Sequence, residues 1–92
     1  MIPIIPTHLT DSQLIEEVKR CARGERVATA LLVAHLAEMD ARSLHLGLGF
    51  PSLFAYCLEV LRLSESATCK RIDVARAARR YPVILERLVE GR

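Results

Sequence analysis

One apolar series constrains this chain more than any other feature. Leu14, Val18, Cys21, Glu25, Ala28, Leu32, His35 and Met39 recur at alternating intervals of four and three residues. That spacing marks one face of a continuous helix, whereas strand side chains alternate at every second residue. It predicts a long helix from Asp11 to about Asp40, begun by Thr10 as N-cap, with Gln13 completing a capping box. Gly24 lies inside it at a cost of roughly 1 kcal/mol relative to Ala, and a break there into two helices is the alternative. Glu25 and His35 interrupt the apolar seam; a packing role is expected for His35, with a partly buried, pH-sensitive contact between helices as the alternative. So long a helix needs a covering face, supplied by later helices or by a second copy of the chain.

The remaining segments are also helical in pattern. Ala41 to Phe50, with Gly47 and Gly49, reads as the loop that ends the long helix. Pro51 suits the first turn of a short helix whose Leu53, Phe54, Tyr56, Cys57, Val60 and Leu61 make it the element expected to be most buried. A tight turn at Leu61-Arg62-Leu63-Ser64 follows, with Ser64 capping a helix that begins at Glu65. On that helix Ala67, Val74, Ala78 and Tyr81 share one arc and Arg76, Arg79 and Arg80 cluster on the other side, with Lys70 and Arg71 at the border. Pro82 disfavours helix at Tyr81, so a restart is expected, with a last helix from Val83 to Glu90 ending at Gly91. Residues 1–9 read as an extended arm whose Ile2, Ile4 and Ile5 pack on a neighbouring helix. Residues 10–92 form a single helical domain. The expected fold class is all-α, with four or five helices and the long one packed on a helix-turn-helix-like unit.

Composition limits the function classes. Half of the 92 residues are apolar and only four are aromatic, so aliphatic side chains must build the core. The net charge of +2 is small, but it is unevenly placed. Arg62, Lys70, Arg71, Arg76, Arg79 and Arg80 face only Glu65 and Asp73 within residues 62–80, a local charge of +4, whereas residues 1–61 carry −2. Cys21, Cys57 and Cys69 are odd in number and form no CxxC pair, which disfavours a zinc site or a disulfide framework and fits reduced thiols in the cytoplasm. Neither a signal-peptide pattern nor an apolar run long enough for a bilayer is present; Val27 to Ala37 is too short. His8, His35 and His45 share no metal-ligand spacing, the serines sit mostly at helix starts, and no glycine loop has the flanks to cradle a phosphate. No catalytic residue, metal or cofactor is expected.

The segments Leu48-Gly49-Phe50, Ser52-Leu53-Phe54-Ala55-Tyr56-Cys57, Leu63-Ser64-Glu65, Arg71-Ile72 and Ala75-Arg76-Ala77-Ala78-Arg79-Arg80-Tyr81-Pro82 carry a resemblance. So, less sharply, do Glu25-Arg26 and Leu31 to Asp40. The chain resembles the helical N-terminal region of bacterial HNH-endonuclease-like proteins, common in myxobacteria and their relatives. Pro51 and Cys69 depart from that pattern, and no nuclease module lies within these residues. The resemblance implies a helical region that contacts DNA ahead of a separate nuclease domain.

The sequence thus points to a non-catalytic module that binds double-stranded DNA. Arg62, Lys70, Arg71, Arg76, Arg79 and Arg80 would meet phosphates, and Ser66 and Thr68 at the helix start would reach base edges. Five phosphate contacts would give a slope of about −4 to −5 for log affinity against log salt. A homodimer through the long helix would pair two half-sites. Two alternatives belong to other classes: a helical protein–protein interaction or dimerisation domain, and a fragment of a longer nuclease.

Overall fold

The three helices that build the core start where a short polar side chain, Thr10, Ser52 or Ser64, accepts from a backbone N–H left free. The computed structural model describes residues 5–91, and these contain helices and no strand. They are α1 (Asp11–Ala41), α2 (Leu44–Gly47), α3 (Leu53–Glu59), α4 (Glu65–Arg80) and α5 (Val83–Glu90). At the start of α1 the Thr10 hydroxyl accepts from the Gln13 N–H at 3.2 Å, and the Gln13 side chain accepts from the Thr10 N–H at 3.0 Å. Ser52 caps α3 and Ser64 caps α4 in the same way, each accepting from the N–H three residues on. Pro51 therefore precedes α3 instead of entering it.

Helix ends follow equally local rules. Tyr81 leaves helical geometry (φ −133°, ψ 81°) because Pro82 crowds it, and the chain restarts as α5. Gly91 then closes α5 in the left-handed region at φ 83°, where a Cβ would meet the Arg26 side chain at 3.1 Å. The expected loop after α1 contains a single helical turn, α2, entered through Ser43 in a left-handed conformation at φ 51°. Arg62 is also left-handed (φ 60°) and makes the corner between α3 and α4.

The core joins three of these elements. Val33 and Leu36 of α1, Leu53 and Cys57 of α3, and Ile72, Ala75 and Ala78 of α4 are buried together, with Ile84, Leu85 and Leu88 of α5 half-buried against them. The two alanines let α4 lie close to α1. Phe50 closes one edge by meeting Tyr56 edge to face, ring centroids 5.4 Å apart. On α4 the inward arc differs from the expected one: Thr68, Ile72, Ala75 and Ala78 are buried, whereas Tyr81 is 60% exposed. In the arm, Ile5 is 78% exposed and so packs on no helix, while Ile2 and Ile4 lie outside the described residues.

α1 is one unbroken helix, Gly24 included, about 46 Å long in a molecule whose longest dimension is 49 Å. Its four-three seam is not its packing face. That seam repeats every 3.5 residues, whereas a straight helix turns every 3.6, so the seam slips by about 20° per heptad. Of that series only Leu32 and Met39 pack, half-buried, at the edge of the core; His35 is exposed, and its ring is bonded to the Leu31 carbonyl oxygen of its own helix at 2.6 Å. The buried residues of α1 are Ala30, Val33 and Leu36, all in its C-terminal half. Among the described residues, no helix is long and apolar enough to cross a membrane.

This uneven burial sets a direct comparison. Leu36→Ala, at a site 3% exposed, should lower unfolding free energy by about 2–4 kcal/mol. Val18→Ala, on the same helix, should stay within about 0.5 kcal/mol. Urea unfolding followed by circular dichroism measures both; equal losses would mean that the two halves of α1 are covered alike.

Candidate functional site

Two surfaces compete for the functional role. The first is the basic face of α4. Its cations come from a helix whose inner side is committed to the core, so Lys70, Arg76 and Arg80 emerge on the outer side with Ser66 and Asp73 between them. Arg76 does not stand free. Its Nε donates to Asp40 Oδ2 at 3.2 Å and its Nη2 approaches Asp40 Oδ1 at 3.4 Å, a two-pronged clip from α4 to α1. That bond raises the Arg76 pKa above its usual value. Arg79 donates from Nη1 to Glu38 Oε1 at 3.1 Å, and Glu38 also accepts from Arg42 Nε at 2.7 Å.

The remaining predicted contacts divide by burial. Arg62, Lys70 and Arg80 are exposed and make no ion pair among the described residues. Arg71 is half-buried, with its Nε enclosed and unbonded. Ser66 is exposed at the first turn. Thr68 corrects the expectation outright. It is 0% exposed, with its hydroxyl enclosed by the core, because it stands one turn before Ile72 on the inward arc; it reaches no base edge. The cation cluster read from the sequence is therefore a mixed-charge seam, with Asp40, Glu38 and Asp73 woven through it.

The second surface lies on α1. α5 reaches along α1 only as far as Arg26, whose Nε donates to the Val89 carbonyl oxygen at 3.1 Å. Before Arg26, every residue of α1 is exposed except the half-buried Glu17. Leu14 (42% exposed), Ile15 (55%) and Val18 (61%) line this open half together with Ala22. At 100° per residue they share an arc of about 100° with Thr29, Val33 and Leu36, so the stripe prolongs the very face that the C-terminal half buries. Pro6, Leu14, Val18, Cys21 and Ala22 line a shallow apolar hollow with Glu17 and Glu25 at its rim. The four-three reading had found Leu14, Val18 and Cys21 but not Ile15. A 3.6-residue period would have included it.

No nucleophilic or metal arrangement accompanies either surface. Cys57 is buried and burial pushes its thiol pKa up, away from thiolate chemistry. Cys21 and Cys69 are exposed, free thiols. Among the described residues, no three His, Cys, Asp or Glu side chains gather as a metal-holding group. No protein-family model, curated protein or solved structure matches the chain.

The Glu38 pairs with Arg42 and Arg79 are testable by pH. Glu38 is held below its ordinary value of 4.5, first by the Arg42 hydrogen bond and then by that of Arg79. A carboxylate depressed in the fold stabilises it above the unfolded value, and that contribution is lost as pH falls through the folded value. Replacing Glu38 by Gln should therefore lower Tm by a constant amount at neutral pH, with the difference shrinking below about pH 4.5. In an NMR titration, Arg42→Gln should move the Glu38 midpoint up further than Arg79→Gln; the reverse order would assign the main bond wrongly.

Proposed function

We propose that this chain is a helical interaction module of the cytoplasm, which offers the open half of α1 to an amphipathic helix of another polypeptide. The observation that carries this reading is the abrupt change at Arg26, where an apolar face passes from buried to uncovered without changing phase on the helix. Scattered exposed apolar residues are ordinary on protein surfaces, but a stripe held in register over about two and a half turns, in phase with a buried face, is the signature of a helix-docking face. The rim acids Glu17 and Glu25 favour a partner helix with cations beside its apolar stripe.

A fluorescent model helix built from Leu and Lys at helical spacing should bind the chain, with anisotropy rising to saturation. Leu14→Gln/Val18→Gln should cut that affinity by about tenfold or more while leaving the helical circular dichroism intact. Equal binding by both proteins would sink the proposal.

A second reading, a module for double-stranded DNA, is favoured by Arg62, Lys70 and Arg80, which are exposed and without carboxylate partners among the described residues. Three phosphate contacts would give a slope of about −3 for log affinity against log salt, shallower than the whole cluster would give. Random duplex DNA titrated at several salt concentrations separates the cases. A slope near −3 that vanishes in Arg62→Ala/Lys70→Ala/Arg80→Ala supports DNA contact through these residues, and salt-independent or absent binding removes it.

A further inference from the structure

The open half of α1 is electrically divided as well as apolar. Asp11, Glu16 and Glu17 give residues 11–17 a charge of −3 with no cation among them. Lys19, Arg20, Arg23 and Arg26 against Glu25 give residues 19–26 a charge of +3. Val18, the most exposed apolar residue of the stripe, stands at the boundary. From this we infer that the occupant of the stripe is a second copy of the same chain, laid antiparallel, with the two-fold axis passing near Val18. This inference rests on the reading of the stripe as a helix-docking face.

Antiparallel alignment about Val18 sets each acidic block against the other copy's basic block, twice over by symmetry. Parallel alignment sets acid against acid and base against base, and brings the two bulky C-terminal halves side by side. Apolar partners also match in size in the antiparallel register: Leu14 and Cys21 lie on one flank of the stripe and Ile15 and Ala22 on the other, so Leu14 faces Cys21 and Ile15 faces Ala22 of the second copy, large side chains meeting small ones. The flanks agree with the blocks. At 100° per residue Glu17 emerges on the same side of the stripe as Arg20, and Glu16 on the same side as Arg23. In an antiparallel pair like flanks meet, so Glu16 and Glu17 each face cations of the other copy, while Asp11 lies level with Glu25 at the ends of the stripe. Within one chain Glu16 pairs with Lys19 at 3.6 Å and Glu17 with Arg20 at 2.7 Å, both on exposed side chains that can re-pair across an interface. A stripe of about two and a half turns lies at the small end of interface sizes, so association no tighter than the micromolar range is expected.

Sedimentation equilibrium on the full chain from about 1 to 100 μM should show a monomer–dimer equilibrium that weakens as salt rises. Glu16→Lys/Glu17→Lys and Arg20→Glu/Arg23→Glu should each raise the dimer Kd by about tenfold or more, and mixing the two variants should restore association. Orientation is read separately, by oxidation in a Cys69→Ser background followed by peptide mass mapping. Leu14→Cys should yield a disulfide between positions 14 and 21 of the two copies. Disulfides joining 14 to 14 or 21 to 21 would mean a parallel pair and overturn the inference. A chain that stays monomeric throughout the range also overturns it. If that monomer still binds the Leu/Lys model helix, the docking face stands and only its occupant is wrong; if it binds neither, both readings fall.

Discussion

The structure depends on a mismatch of lengths. α1 runs about 46 Å, whereas α4 and α5 extend about 24 and 12 Å by their residue numbers. Burial is the main source of stability, and it acts only where a second helix lies within reach. The C-terminal half of α1 therefore becomes the spine of a small core, with Val33 and Leu36 set among Cys57, Ile72 and Ala75. The N-terminal half has the same kind of apolar face, and among the described residues no later helix lies on it.

The ion pairs fit within this frame. Arg76 and Arg79 project from α4 at the level where α1 presents Asp40 and Glu38, and they join the two helices outside the core. Exposed pairs add little to stability, because solvent and salt screen them. They also bear on the second reading, since a guanidinium already facing a carboxylate is a poorer receptor for a phosphate. The charge asymmetry of the chain thus serves partly its own architecture, and among the described residues three exposed cations of this segment, Arg62, Lys70 and Arg80, make no ion pair.

Much of the fold was legible in the sequence because it rests on local chemistry. Thr10 with Gln13, Ser64, Pro82 and Gly91 each set a helix boundary through backbone geometry or a single hydrogen bond. Register between helices was less legible, since it depends on which side chains a neighbour makes inaccessible. Thr68 looked like a surface hydroxyl at a helix start, yet the corner at Arg62 turns it inward. Arg76 and Arg79 looked like free cations because Glu38 and Asp40 lie about forty residues earlier in the chain. The long seam was legible as helix but misread as one packing face, since a 3.5-residue repeat and a straight helix part company over several turns.

Gly24 gives the open half of α1 a further property. It lies mid-helix with nothing within 4 Å of where its side chain would begin, so crowding did not select it. Glycine weakens a helix interior, here two residues before the last support that α5 provides. Beyond that point the backbone is held by its own ladder alone, which frays readily in short helical segments. The first turns of the spine are thereby a semi-independent unit, able to loosen and re-form while the rest of the protein stays folded, and any partner that seats there would also act as a splint.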